Sequence, residues 1–175
     1  MYCFPARPGI SLVELLVTLA VIGVVSAIGM PPLTGWLAQR RLEVLASDLQ
    51  HDLHAARRAS AAHRLPVVVC PSRDGERCHR AASFAEGWLS FVNLDQDRPP
   101  VQDPGETVLL RHRESARAVI NSNRSVFIFD GDRRRATNGT ISVCDRRIGA
   151  MPVALVVSYT GRVRLIRDPA AAHCP

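Results

Sequence analysis

Two arginines near the C-terminus stand two residues apart in the segment Gly161-Arg162-Val163-Arg164. If this segment forms a β-strand, both guanidinium groups point to one side while Val163 faces the core. The planar guanidinium group binds phosphate through two parallel hydrogen bonds, so such a pair can hold a nucleic-acid backbone without reading its base sequence. Gly161 lets the main chain turn and approach a ligand closely.

Further basic residues can widen this site, because Arg167 follows it and Arg146 and Arg147 precede it. The 22 basic residues are all arginine and outnumber 16 acids, giving a net charge of +6. An excess of this size favours contact with polyanions. The alternative is a charged strand face that only keeps the surface soluble or pairs with Asp145 and Asp168.

No catalytic arrangement of residues is recognisable. The chain has neither a GxSxG nucleophile motif nor a glycine-rich phosphate loop, so we expect no enzymatic activity and no cofactor. Possible metal ligands are His51, His54 and His63 on a predicted helix, and Asp95, Asp97 and Asp103 in a proline-containing loop. The histidines lack an accompanying carboxylate motif, and the acids lack the glycine and final glutamate of a calcium loop. We therefore expect no metal.

The segment from Gly9 to Pro32 is long and apolar enough to form a membrane-spanning helix. Arg7 precedes it, and Glu14 is its only charged residue. An acid at membrane depth is costly and requires a partner. The alternatives are a plain single-pass anchor and a secretory signal peptide cut after Ala27, which would leave a mature chain beginning at Ile28.

The next segment, residues 33–65, predicts an amphipathic helix, with a kink or break at Pro31 and Pro32. Its apolar stripe should pack on a sheet and comprises Leu37, Leu42, Leu45, Leu49 and Leu53. From Pro66 onward, short β-branched runs alternate with turn residues and predict seven strands. These strands are Val67 to Cys70, Trp88 to Asn93, Val108 to Arg113, Val126 to Phe129, Ile141 to Cys144, Val153 to Ser158 and Val163 to Ile166. The fold class is therefore α+β, with the run Arg133-Arg134-Arg135 as a hairpin tip and only a secondary binding candidate.

The residues Gly9-Ile10-Ser11-Leu12-Val13-Glu14 resemble the processing site of type IV pilins and type II secretion pseudopilins, although Phe is usual at the position of Ile10. The resemblance implies that prepilin peptidase cuts after Gly9 and methylates Ile10. It also implies that Glu14 meets the amino terminus of a neighbouring subunit during assembly. The chain then divides into a leader (1–9), a transmembrane half-helix (10–32), an amphipathic half-helix (33–65) and a β-domain (66–175).

Four cysteines follow this leader, which contains Cys3, and an even number in an exported domain predicts disulfide bonds. Four cysteines allow three connectivities. We favour Cys70 with Cys78 and Cys144 with Cys174, because the first pair brackets a turn-rich loop. A zinc site is disfavoured because no CxxC spacing occurs.

Several later blocks are similar, in order, to the GspH/FimT branch of the pilin family, and most closely to FimT-type minor pilins. They are residues 66–75 with Cys78, residues 86–92, 129–131, 137–140, 143–145 and 158–164. The resemblance implies a pilin fold, in which one long N-terminal helix packs on an antiparallel β-sheet domain. It implies inner-membrane insertion with a periplasmic domain, then a place in the pilus beside other major and minor pilins.

Within that branch, the Gly161-Arg162-Val163-Arg164 segment resembles the GRxR motif with which FimT-type minor pilins bind DNA in natural transformation. By this resemblance, Gly161, Arg162 and Arg164 contact DNA. Two structural alternatives share the same anchor. They are a GspH-like minor pseudopilin of a type II secretion system and a minor pilin that only primes assembly.

Overall fold

The computed structural model describes residues 9, 11–113, 118–145, 150–167, 170, 172 and 174. The chain forms two compact units, the first ending at Leu37 and the second beginning at Ala38. Among the described residues, its elements are one long helix, α1 (Leu12–His63), a short 3-10 helix (Phe84–Glu86) and nine strands. The predicted α+β class is confirmed.

In the first unit, the start of α1 is fixed by Ser11, whose Oγ accepts a hydrogen bond from the backbone N–H of Val13 at 3.2 Å. A hydroxyl at this position satisfies one of the unpaired N–H groups of the first turn. Glu14 lies in that turn, and the apolar side chains that follow are exposed. The helix continues through Pro31 and Pro32, so no break occurs there.

Within the part of the chain that the structure describes, no helix combines the length and the apolar character that crossing a membrane requires. The membrane-spanning segment therefore stays a prediction.

In the second unit, α1 ends at His63 because the next residue, Arg64, has a positive φ of 56°. A left-handed residue stops the helical ladder, and Pro66, which opens the first strand, cannot continue it.

The nine strands form two antiparallel sheets. They are β1 (Pro66–Pro71), β2 (Gly87–Val92), β3 (Val108–Arg113), β4 (Ala118–Ser122), β5 (Phe127–Asp130), β6 (Arg135–Ala136), β7 (Gly139–Asp145), β8 (Val153–Val157) and β9 (Val163–Ile166). The first sheet has the order β3-β2-β1-β5-β6 and the second the order β4-β7-β8-β9. All seven predicted strands are present, whereas β4 and β6 were not predicted.

One hydrophobic core joins the second half of α1 to both sheets. The buried helix residues Leu42, Leu45, Leu49 and Leu53 belong to it, as the stripe predicted, whereas Leu37 is exposed. Phe127 and Phe129 contribute from the first sheet, and Ile141, Leu155 and Val163 from the second. Residues of β1 that point the other way, such as Val68 and Cys70, form a smaller cluster, as alternation along a strand requires.

The turn after β5 packs directly on the helix backbone at Gly131. A Cβ atom at this position would lie 2.0 Å from the carbonyl oxygen of Ser60 and 2.6 Å from the backbone nitrogen of Ala61. No side chain fits at such distances, because the obstructing atoms are backbone and cannot rotate away. Glycine therefore holds the β5–β6 turn against α1.

A buried polar contact also ties α1 to the first sheet. The indole N–H of Trp88 donates a 2.8 Å hydrogen bond to the carboxylate of Asp52, which is only 5% exposed. The ring of His112 on β3 stacks on the Trp88 ring, with 3.8 Å between the ring centroids. Burial raises the pKa of Asp52, and the hydrogen bond from Trp88 offsets only part of this effect.

We expect Gly131→Ala to destabilise the fold, because the added methyl group meets the backbone of Ser60. Overpacking of this kind costs about 1–3 kcal/mol. Thermal unfolding of the full chain in non-ionic detergent, followed by circular dichroism, measures the effect. Gly35→Ala is the control, since a Cβ atom there meets nothing within 4 Å. Equal midpoints for Gly131→Ala and wild type would contradict the assigned role of this glycine.

We expect Asp52→Asn to stabilise the protein increasingly as pH rises. Because the folded-state pKa of Asp52 is raised, its stabilising contribution is complete below the unfolded value of about 3.8 and is lost as pH climbs through the folded value. Asparagine keeps an acceptor for Trp88 without this loss. Urea unfolding from pH 3 to pH 8 measures the difference between variant and wild type. A pH-independent difference would refute the linkage.

Asp52→Ala is the companion variant. It leaves the buried indole N–H of Trp88 without an acceptor, and an unpaired buried donor costs about 1–3 kcal/mol. It should therefore be less stable than Asp52→Asn at every pH.

Candidate nucleic-acid interface

The connection between β8 and β9, residues 158–162, is a tight turn closed by its own hydrogen bonds. Gly161 N–H donates to the carbonyl of Ser158 at 2.9 Å, and Ser158 N–H donates to the carbonyl of Arg162 at 2.9 Å. The Ser158 hydroxyl accepts a further bond from Arg162 N–H at 3.0 Å. Gly161 has a φ of +75°, as the last residue of a common three-residue hairpin loop does. The predicted turning role of Gly161 is thus confirmed.

The side chains after this turn alternate as the sequence predicted. Arg162 and Arg164 are exposed, whereas Val163 between them is 5% exposed and belongs to the core. Arg164 lies opposite Val156 of β8, and β9 is an edge strand of its sheet. Both guanidinium groups therefore point away from the core along a sheet edge.

Neither of these two arginines is neutralised by an acid among the residues that the structure describes. The ion pairs found there involve other arginines, and Asp145 lies at the far end of β7 from this turn, opposite Ala118. Asp168, the second acid considered as a partner, lies outside the described residues. The alternative in which Arg162 and Arg164 form ion pairs with Asp145 is therefore not supported.

Gly161 packs against two other elements of its own chain. A Cβ atom there would lie 3.4 Å from Nε of Arg57 on α1 and 3.4 Å from Cδ1 of Phe129 on β5. The Arg57 side chain therefore occupies the space beside Gly161 that was predicted for a ligand. Nothing in the local sequence signalled this contact, because Arg57 is more than a hundred residues away along the chain.

Strand β6 also contacts the turn that contains Gly161. Ala136 N–H donates to the carbonyl of Tyr159 at 2.8 Å, and the guanidinium carbon of Arg135 lies 5.6 Å from the centre of the Tyr159 ring. This distance permits a cation–π contact. The arginine run 133–135, which was predicted to form a hairpin tip, is therefore adjacent to the Gly161 turn.

A cleft of about 300 Å³ lies between α1, the β5–β6 turn and the β8–β9 turn. We name it the arginine cleft, and its lining includes Arg57, Ser60, Arg134, Arg135, Thr160 and Gly161. Arg57 also acts on a neighbouring residue of α1, because the pKa of His54 is lowered by burial and then by the charges of Arg58 and Arg57. The run of three arginines was the one sequence signal for this feature.

Of the remaining predicted basic residues, Arg167 is not brought to this turn. Arg167 lies just beyond the other end of β9, with its Nε 4.0 Å from the carboxylate of Glu43. Five residues of extended chain separate it from Arg162, about 16 Å. Arg146 and Arg147 lie outside the described residues.

Both predicted disulfide bonds are present. Cys70 pairs with Cys78, with a Cα–Cα distance of 5.6 Å, and Cys144 pairs with Cys174, with a Cα–Cα distance of 6.0 Å. The first bridge closes a loop organised by Asp74, whose pKa is lowered to about 2 by hydrogen bonds from the N–H groups that follow it. The second attaches residue 174 to β7.

The three aspartates of the proline-containing loop lie close together. The carboxylate oxygens of Asp95, Asp97 and Asp103 lie within 4.8 Å of one another. Two of these acids accept backbone hydrogen bonds from their own loop, Asp95 from Asp97 N–H at 3.1 Å and Asp97 from Val101 N–H at 2.9 Å. These bonds give the acids a role in shaping the loop. The three histidines belong to no such group among the described residues.

The predicted processing site is only partly described by the structure. Gly9 is exposed, Ile10 lies outside the described residues, and Glu14 sits in the first helical turn. An acid in this turn also interacts favourably with the helix dipole.

Comparison with known proteins confirms the predicted pilin fold. The family described as type II transport protein GspH matches residues 45–161. Two crystal structures of the type IV minor pilin FimU from Pseudomonas aeruginosa are similar at 16% identity, with TM-scores of 0.53 and 0.54. They cover 71% and 75% of this chain and 91% and 92% of their own. No protein with a curated description matches.

The family match spans the second half of α1, the first sheet and most of the second, and it ends at Gly161, one residue before the first arginine of the pair. It covers well over half of the chain and includes both glycines that position the two turns. The chain therefore belongs to the GspH family, which groups minor pilins and pseudopilins of type IV pili and type II secretion systems.

Proposed function

We propose that this protein is a type IV minor pilin that binds DNA through Arg162 and Arg164, supports pilus assembly and serves DNA uptake in natural transformation. The observation that carries this proposal is the exposure of both arginines on one side of β9, with Val163 buried between them. No acid of the described residues neutralises them. The proposed role is binding, not catalysis.

The spacing of the pair suits a phosphate backbone. Residues two apart on a strand are separated by about 6.6 Å, and one nucleic-acid strand carries a phosphate about every 3.4 Å of helix axis. Each arginine can therefore hold its own phosphate. These contacts are made to phosphates and not to bases, so binding is independent of DNA sequence. It is driven by the release of counterions from the phosphates.

The processing site supplies the filament context. In the proposal, prepilin peptidase cuts after Gly9, the apolar first half of α1 inserts in the inner membrane, and the domain from Ala38 faces the periplasm. Glu14 then pairs with the amino terminus of an adjacent pilin as the subunit enters the pilus. Retraction of the pilus would draw the captured DNA towards the cell.

The second candidate is a structural one, and the description of the matching family as a type II transport protein favours it. A GspH-like pseudopilin, or a minor pilin that only primes assembly, needs the same core and the same anchor. Neither needs a positively charged edge on β9, so a DNA-binding measurement separates the candidates.

We expect Arg162→Ala with Arg164→Ala to weaken binding to duplex DNA for all sequences alike. Loss of two phosphate contacts should lower the slope of log K against log salt by about 1.8. The assay uses full chain in non-ionic detergent, two labelled duplexes of unrelated sequence, and fluorescence anisotropy at several salt concentrations.

The control for net charge is Arg77→Ala with Arg80→Ala. Both side chains are exposed, and their loop follows Pro71, at the end of β1 remote from the β5–β6 turn. The control should retain wild-type affinity and slope. Equal DNA binding by wild type and the Arg162, Arg164 variant would remove the site assignment and favour the structural candidate.

We expect the mature protein to begin at N-methylated Ile10, because cleavage after Gly9 frees that amine. Intact-mass measurement of chain purified from a host with prepilin peptidase tests this, and Gly9→Leu should block processing. A mature terminus at Ile28 would instead identify a secreted protein released by signal peptidase, and the pilus proposal would fail.

A further inference from the structure

The arginine cleft collects positive charge from separate parts of the chain. Arg57 comes from α1, Arg134 from the β5–β6 turn and Arg135 from β6. Among the described residues, none of these three guanidinium groups forms an ion pair. All three residues are exposed overall, so a ligand in solution can reach them.

The cleft also contains opposing charge, which is smaller. Asp130 is its one acid among the lining residues, and its carboxylate accepts a 3.1 Å hydrogen bond from Arg133 N–H and lies 3.9 Å from the Arg133 guanidinium. The nearby C-terminal turn of α1 adds about half an elementary negative charge. Three guanidinium groups outweigh both, so the cleft favours an anion.

The walls of the cleft are fixed in the folded chain. Gly131 holds the β5–β6 turn on the backbone of Ser60, and the 2.8 Å hydrogen bond from Ala136 N–H to the carbonyl of Tyr159 ties β6 to the β8–β9 turn. A site whose backbone is already in place spends less conformational entropy on binding. The volume of about 300 Å³ is that of roughly ten waters, which is ample for a phosphate group.

We propose that the arginine cleft holds a backbone phosphate of the same nucleic acid that Arg162 and Arg164 contact. This inference rests on the proposed function and extends its site from the edge of β9 across the Gly161 turn to α1. Arg57 and Arg134 bind the phosphate, and Arg135 remains against the Tyr159 ring. The Gly161 turn joins the two parts, because it contacts Arg57 on one side and precedes Arg162 on the other.

The test compares Arg57→Ala with Arg134→Ala against a control that loses the same charge, Arg58→Ala with Arg80→Ala. Arg58 is the exposed neighbour of Arg57 on α1 and does not line the cleft. Full chain in non-ionic detergent is titrated with labelled duplex DNA at several salt concentrations. We expect the cleft variant to bind about tenfold more weakly at low salt and its salt slope to fall by about 0.9. The control should match wild type.

The outcomes separate this inference from the proposed function. If the Arg162, Arg164 variant loses binding while the cleft variant equals wild type, the cleft proposal is overturned and the function stands. If only the cleft variant loses binding, the cleft is supported and the β9 assignment falls. If wild type does not bind DNA, both fall. Thermal midpoints are compared first, and Arg57→Gln with Arg134→Gln replaces the alanine pair if alanine lowers the midpoint.

Discussion

The burial of the α1 stripe against both sheets is the interaction on which the rest of this structure depends. Each sheet is short and few-stranded, and each contributes one apolar face to a core that the helix completes. Burying a leucine side chain contributes about 1.5–3 kcal/mol, and several leucines do so here, including Leu49 and Leu53 at 0% exposure. Because the helix sets the position of both sheets, it also sets where their turns meet.

That meeting point requires two glycines for different physical reasons. Gly131 is needed for space, since the backbone of Ser60 leaves no room for a Cβ atom. Gly161 is needed for conformation, since its φ of +75° is costly for other residues. Together they bring the β5–β6 turn, the β8–β9 turn and Arg57 to one place. The arginines on these elements gather there as a consequence of backbone packing.

Local pattern was sufficient to predict much of this fold. Alternation along β9 predicted that Arg162 and Arg164 share a side, and cysteine spacing predicted both disulfide bonds. Strand β6 was missed because two residues, Arg135 and Ala136, carry no periodicity, and the polar end of β4 hid its short apolar run. The arginine run 133–135 indicated basic charge at a hairpin tip, but the arginine cleft itself could not be predicted, since it depends on which turns the sheet register brings together. The requirement for glycine at position 131 likewise comes from contact with a distant helix, which the local sequence does not show.

The end of the family match separates the residues that build the fold from the arginines of the proposed DNA-binding site. The match ends at Gly161, so it includes the residues that build the turn and excludes the arginines that follow. Exposed side chains such as Arg162 and Arg164 contribute little to stability, typically within about 0.5 kcal/mol. They can therefore change without disturbing the core, whereas Gly131 cannot. One scaffold can accordingly carry different charges on these turns, and in the proposed function it is this charge, not the fold, that separates a DNA-binding pilin from a structural pseudopilin.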